Sequence, residues 1–295
     1  MIVLSLFDGM GCGRIALQKV GITPTFYFAS EIKSHAIKCA KNNFSDIIHI
    51  GDVTKVKYKN GILTTEFGDY EIGGVDLLIG GSPCQDFSAL KIGGKGLEGD
   101  KSKLFYEYLR ILKEVNPKYF LLENVKMKRE SRVQLNQFLG VEGIDINSSL
   151  VSYQNRPRIY WTNIPNVTIP EDRNVNFQDY KNADPDYCCK FKVKRTPSRE
   201  RMWNNGNGKN SIGSCHNITH SKKIFCVTRK QDRSPNSGLI EFEDFCRFLT
   251  REELERAQTV PVGYTNCLSY NQAQDLLGDG WTVDVIAHIF KNLKD

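Results

Sequence analysis

The chain has 295 residues, 40% of them hydrophobic and 11% aromatic, with a formal net charge of +6. That length and apolar content suffice for one large domain or two smaller ones, and they exclude an unfolded polar chain. Nine cysteines with no C-x-x-C pair argue against a disulfide framework and against a tetrahedral zinc site, so free thiols in a reducing compartment and no metal are expected.

Met1 to Phe7 is apolar but lacks a basic leader and runs into Asp8-Gly9, which predicts a first buried strand rather than a signal peptide. Further strands are predicted at Thr25 to Ala29, Ile47 to Ile50, Val75 to Ile79, Tyr119 to Leu122 and Leu150 to Tyr153. Helical patterns fall between them: Arg14 to Val20 closed by Gly21, Ile32 to Asn42, and Lys103 to Val115 closed by Asn116-Pro117. This alternation predicts an α/β fold, Rossmann-like, with an open, mostly parallel sheet whose ligands bind at the carboxyl ends of the strands. Asn60-Gly61 and Gly68-Asp69, among β-branched and aromatic residues, mark a hairpin excursion.

After Ile164-Pro165 the composition turns to Asn, Ser, Gly, Lys and Arg, with short strand-like pieces such as Ile224 to Thr228. Residues 165–246 are therefore read as a smaller irregular domain, and 1–164 with 247–295 as the main one. Helical signals return with a capping box at Thr250 to Glu253 and a last helix over Val283 to Leu293. Lys181 to Pro235 carries thirteen Lys and Arg against four acidic residues, as a surface that meets phosphates would. No apolar run approaches the roughly 18 residues of a membrane span, so a cytoplasmic protein is expected.

The chemistry concentrates at the predicted strand ends. Phe7-Asp8-Gly9-Met10-Gly11 follows a strand and opens a helix, and its glycines let a backbone approach a ligand. By itself this turn suits a nicotinamide enzyme equally well. Glu31 after the second strand and Asp52 after the third suit ribose hydroxyls and other donors. The fourth strand delivers Gly-Gly-Ser-Pro83-Cys84-Gln85, a poor place for a packing cysteine, and the next ends in Glu123-Asn124-Val125. A thiol and an acid on adjacent strand ends suggest covalent catalysis with proton management.

Gly81 to Gln85, Glu123 to Val125 and Gln154-Asn-Arg156-Pro-Arg158, in this order, resemble the signature motifs of the cytosine-5 DNA methyltransferase family. The Phe-Asp-Gly opening, Leu249 to Tyr264 and the closing Gly278-Asp-Gly-Trp281-Thr-Val283 complete the pattern. The resemblance is to compact prokaryotic and phage enzymes and to the catalytic domain of animal de novo methyltransferases. It implies a methyltransferase that uses S-adenosylmethionine, releases S-adenosylhomocysteine, and carries a target-recognition domain in the basic middle.

The resemblance further implies roles. Cys84 is the nucleophile and Glu123 the acid on the cytosine ring, with Arg156 and Arg158 nearby; a free thiol of pKa about 8.5 benefits from such positive charge. Phe7, Asp8, Gly9, Met10, Glu31, Ile32, Asp52, Val53, Pro83, Leu104, Asp279, Trp281 and Val283 fall at cofactor positions. Ile32 stands where an aromatic is common, and Cys12 where glycine is. Gln85, Ser88 and Lys91 would meet a base flipped out of duplex DNA, under a glycine-rich loop over Lys91 to Lys101. Arg195, Arg199, Arg201, Arg229, Lys230, Gln231 and Arg233 are the candidates for DNA contact.

A stand-alone enzyme, monomeric or weakly dimeric, that protects DNA from restriction is the expected biology. Three rivals are a transfer-RNA methyltransferase of the same mechanism, a silent DNA-binding regulator and a nicotinamide oxidoreductase. Ser82-Pro83 replaces the two prolines typical of the first, the retained Cys84 and Glu123 argue against the second, and the third leaves those motifs idle.

Overall fold

The computed structural model describes residues 1–82, 103–194, 196–197, 217–233 and 236–293. By contacts the chain forms two compact units, one of residues 1–146, 157–169 and 286–295, the other of 147–156 and 170–285.

The first unit is built on a seven-stranded sheet in the order β3-β2-β1-β7-β8-β10-β9. Its strands are β1 Ile2–Leu6, β2 Phe26–Ser30, β3 Ile47–Gly51, β7 Leu77–Gly80, β8 Tyr119–Val125, β9 Ile144–Asn147 and β10 Pro157–Thr162. β3, β2, β1, β7 and β8 run parallel, while β10 pairs antiparallel to β8. Helices α1 Cys12–Lys19, α2 Ser34–Asn43, α3 Lys103–Val115 and α4 Arg129–Leu139 fall between the strands. The near-continuous apolar runs of the central strands agree with a parallel sheet covered on both faces: Val3, Leu4, Leu6, Leu77, Leu78 and Ile79 are all fully buried. α1 lies so close to the sheet that a Cβ at Gly13 would come within 2.3 Å of Ile79 Cδ1 and 2.9 Å of the Tyr27 hydroxyl.

The excursion after β3 is a separate three-stranded antiparallel sheet, β4 Lys57–Lys59, β5 Ile62–Thr65 and β6 Gly68–Glu71. Asn60 and Gly61 both have positive φ, +51° and +83°, as the tightest hairpin turn demands.

The second unit contains α5 Pro185–Cys188, a small hairpin of β11 Ile240–Glu241 and β12 Cys246–Arg247, and the helices α6 Arg251–Ala257 and α7 Tyr270–Asp279. The last helix, α8 Val283–Phe290, begins in this unit and ends in the first. Arg247 and Glu253 form a buried ion pair at 2.7 Å, and Glu253 also closes the capping box with Thr250. Gln258 joins Gln154 at 3.0 Å and Thr282 at 2.9 Å through its carbonyl oxygen. These buried polar links draw 247–285 into the unit of the basic middle, whereas the sequence reading grouped 247–295 with 1–164.

Two strand expectations are corrected. Leu150 to Tyr153 forms no strand: Ser148–Leu150 is a single 3-10 turn, initiated by Asn147 accepting from the Ser149 amide. Ile224 to Thr228 contributes only a bridge from Ile224 to Gln154. Among the described residues no helix is long and apolar enough to cross a membrane.

Candidate active site

Three carboxylates stand at the ends of three neighbouring parallel strands. After β1 the chain turns through Phe7 at φ +58° and Gly9 at φ +62°, and Gly11 at φ +84° caps α1. Nothing lies within 4 Å of where a Gly9 side chain would project, so the backbone there is open to a ligand. Asp8 Oδ1 accepts from Ser5 Oγ and from the Tyr27 hydroxyl, both at 2.6 Å. Asp8 Oδ2 is buried with no hydrogen-bond partner among the described residues. Burial pushes the Asp8 carboxyl up to about 6, against the lowering effect of the Ser5 and Tyr27 hydrogen bonds.

After β2, Glu31 Oε2 accepts from the Gly9 amide at 2.8 Å, and Oε1 accepts from the amides of Ile32 and Lys33. This fixes the carboxylate against the glycine turn. After β3, Asp52 begins a 3-10 turn and accepts from the Thr54 amide at 2.9 Å. An edge lined by three carboxylates would repel a pyrophosphate and suits a ligand rich in N–H and O–H donors that carries an ammonium group. The unpartnered Asp8 Oδ2 and the open Gly9 backbone fit S-adenosylmethionine on these grounds. Met10 and Val53 are buried, Ile32 is 73% exposed, and Leu104 packs partly buried against the core.

At the other end of the parallel run, β7 leads to Ser82, whose hydroxyl accepts from Asn124 Nδ2 at 3.2 Å. Asn124 is the neighbour of Glu123 near the end of β8. Because β10 is antiparallel, its beginning meets the end of β8, with Tyr160 opposite Glu123 and Arg158 opposite Val125. Arg158 Nε thereby reaches Glu123 Oε1 at 2.9 Å, with both side chains nearly buried. A carboxylate held by a guanidinium is fixed in orientation. Pro83, Cys84, Gln85, Ser88 and Lys91 lie outside the described residues, as do Arg195, Arg199 and Arg201.

Three expectations need correction or narrowing. Arg156 is 3% exposed, and its guanidinium donates to the carbonyls of Val227, Gly278 and Gly280 at 2.9–3.0 Å. It ties together loops of the second unit and also donates to Cys226 Sγ at 3.2 Å. Gln231 is fully buried, its amide oxygen accepting from Ser237 Oγ, so it presents nothing to a base edge. Arg229 pairs with Asp275 at 2.6 Å and Asp279 at 3.5 Å, which offsets its charge. Lys230 and Arg233 are exposed as expected. Trp281 is half-buried and Val283 fully buried in the second unit, where the Val283 amide donates to the Gln258 carbonyl. Sequence reasoning missed Ser5 and Tyr27, which hold Asp8; both sit in apolar strand runs that signalled only packing.

A family model described as C-5 cytosine-specific DNA methylase matches residues 1–142. The orphan methyltransferase M.Rho11sI of Bacillus phage rho11s is 36% identical over 183 residues, covering 58% of this chain and 34% of that protein. The type II methyltransferase M1.ScrFI of Lactococcus lactis subsp. cremoris is 33% identical over 196 residues, covering 62% of this chain and 45% of its own. The chain thus matches less than half the length of these relatives. The S. pombe Dnmt2 methyltransferase superposes with a TM-score of 0.67 at 17% identity, covering 98% of this chain and 97% of that one. A Spodoptera frugiperda DNMT2 structure gives 0.65 at 19% identity, covering 98% of each chain. At such identities the likeness shows the fold alone, a mixed, mostly parallel sheet with helices.

Proposed function

From the match of residues 1–142 to the C-5 cytosine-specific DNA methylase model, we propose that the chain methylates carbon 5 of cytosine in duplex DNA through a covalent Cys84 adduct. The observation that carries this reading is the Glu123–Arg158 pair at the end of β8, beside the Asn124 tether to Ser82, two residues before Cys84 in the chain.

Carbon 5 of cytosine is a poor nucleophile, and the Cys84 thiolate overcomes this by adding to carbon 6. Glu123, held by Arg158, carries a proton to ring N3 and accepts from the exocyclic amine, and so draws electrons from carbon 6 as the sulfur adds. The resulting enamine attacks from carbon 5. S-adenosylmethionine supplies the methyl group and would be held by Asp8, Glu31 and Asp52. Loss of the carbon 5 proton to a base then restores the double bond and expels Cys84 as thiolate. The target atom is unreachable within the base stack, so the cytosine must leave the helix. Exposed Lys230 and Arg233 would meet phosphates, and protection of DNA from restriction is the role that fits the phage and type II relatives.

The test is to trap the protein on duplex DNA containing 5-fluorocytosine with S-adenosylmethionine, comparing wild type with Cys84→Ala. A denaturation-resistant adduct that requires Cys84 is expected. An adduct on transfer RNA but not on DNA would overturn the substrate, and none on either would favour a silent binder.

A further inference from the structure

The three-stranded excursion brings its β5–β6 turn, Glu66-Phe67, back onto the end of β3. Glu66 Oε2 accepts from the Asp52 amide at 3.3 Å, and its other oxygen pairs with Lys55. Gly51 has φ +78°, and a Cβ there would lie 2.5 Å from Glu66 Oε2 and 3.2 Å from Phe67 Cε2. The Phe67 ring is therefore seated over bare backbone at the strand end, immediately before Asp52. It is nonetheless 66% exposed.

A single exposed aromatic is ordinary on a protein surface. Here it has a counterpart. Gly51 pairs with Ser30 in the sheet, and two residues beyond Ser30 stands Ile32, 73% exposed. Adjacent strands lie about 5 Å apart, so two large apolar side chains rise from neighbouring strand ends beside the Glu31 and Asp52 carboxylates. An aliphatic Ile32 gives a flat heteroaromatic ring little besides area. A phenyl ring offers a π face as well.

We propose that Phe67, from the excursion hairpin, stacks on the adenine ring of the adenosyl cofactor and supplies the aromatic wall that position 32 lacks. This rests on the S-adenosylmethionine reading above. It makes the hairpin part of the cofactor site and explains why Gly51 must lack a side chain: any Cβ would collide with the turn that presents the ring.

The experiment is titration calorimetry of S-adenosylhomocysteine into the full chain, comparing wild type with Phe67→Ala, Phe67→Leu and Phe67→Trp, with folding checked by circular dichroism. Loss of a base-stacking aromatic is expected to weaken binding about tenfold. Ala and Leu should both show that loss, while Trp should stay near wild type. Wild-type affinity in the Leu variant would reduce Phe67 to apolar cover, and wild-type affinity in the Ala variant would remove it from the site; either result overturns the inference and leaves the methyltransferase reading intact. If Ala does not fold, the Leu and Trp pair decides. If wild type itself does not bind S-adenosylhomocysteine, the cofactor reading fails and takes this inference with it.

Discussion

Asp8 ties protonation to folding and, on the proposed cofactor reading, to binding as well. Its carboxyl is raised to about 6 by burial, so folding favours the protonated form. The associated stability is full below the ordinary carboxylate range, near 4, and is lost as pH rises through about 6. Above that, ionised Asp8 costs the fold on the order of 3 kcal/mol. Asp8→Asn should flatten the pH dependence of stability between about 4 and 6, as read by urea denaturation at a series of pH values. Binding runs the other way, because an ammonium group favours the ionised form. Affinity for S-adenosylhomocysteine should rise from pH 5 to 7 in wild type, and Tyr27→Phe, which removes a hydrogen bond that lowers the Asp8 pKa, should move that rise to higher pH. An affinity indifferent to pH in wild type would separate Asp8 from the cofactor. At the other end of the sheet, Arg158→Ala removes the guanidinium that pairs with Glu123. Single-turnover methylation should fall by about a hundredfold or more, with cofactor binding unchanged by calorimetry. The strand-end positions of Glu31, Asp52 and Glu123 were legible in the sequence, whereas their roles, and that of Asp8, were implied only by the family resemblance. The partners of Arg156 and Gln231 were not, since what occupies a guanidinium or an amide is decided by carbonyls and hydroxyls up to 122 residues away.

The strongly patterned elements were the legible ones. The apolar runs of β1, β2, β3 and β7 and the Asn60-Gly61 turn appear within one or two residues of where periodicity and turn chemistry put them, and β8 begins where expected but runs three residues further, to Val125. β10 was hidden by its role: Gln154 to Tyr160 signalled a motif, and nothing local says that such a stretch returns antiparallel. α7 was missed although Ser269 and Gln272 form a capping box, because its apolar residues are few and interrupted by Gln and Asp. Thr250 to Glu253 was read as a capping box and is one. That same Glu253 is sealed against Arg247, both side chains nearly inaccessible. Arg247→Met would leave a buried carboxylate uncompensated, and a loss of about 3–5 kcal/mol is expected in chemical denaturation. The double variant Arg247→Met with Glu253→Gln should recover part of it; no recovery would mean that packing of the arginine stem, and not charge, is the stabilising term.

For the whole chain, charge is the property that sequence states most directly and structure qualifies most. The net +6 is concentrated between Lys181 and Pro235, yet Arg229 is neutralised locally while Lys230 and Arg233 face water. Replacing Lys230 or Arg233 by Ala should lower the slope of log affinity against log salt for duplex DNA by about 1 each, whereas Arg229→Ala should leave it nearly unchanged. The compact units also differ from a simple head-and-tail division. The chain passes between them at 146/147, 156/157, 169/170 and 285/286. Residues 147–156 are only ten positions long, but they carry the Gln154 amide that meets Gln258 and the Arg156 guanidinium that gathers three carbonyls. Anyone transplanting 170–285 alone between relatives would therefore bring a module missing its own keystone. Only a two-piece graft, with 147–156 travelling alongside, carries matched halves into the new host.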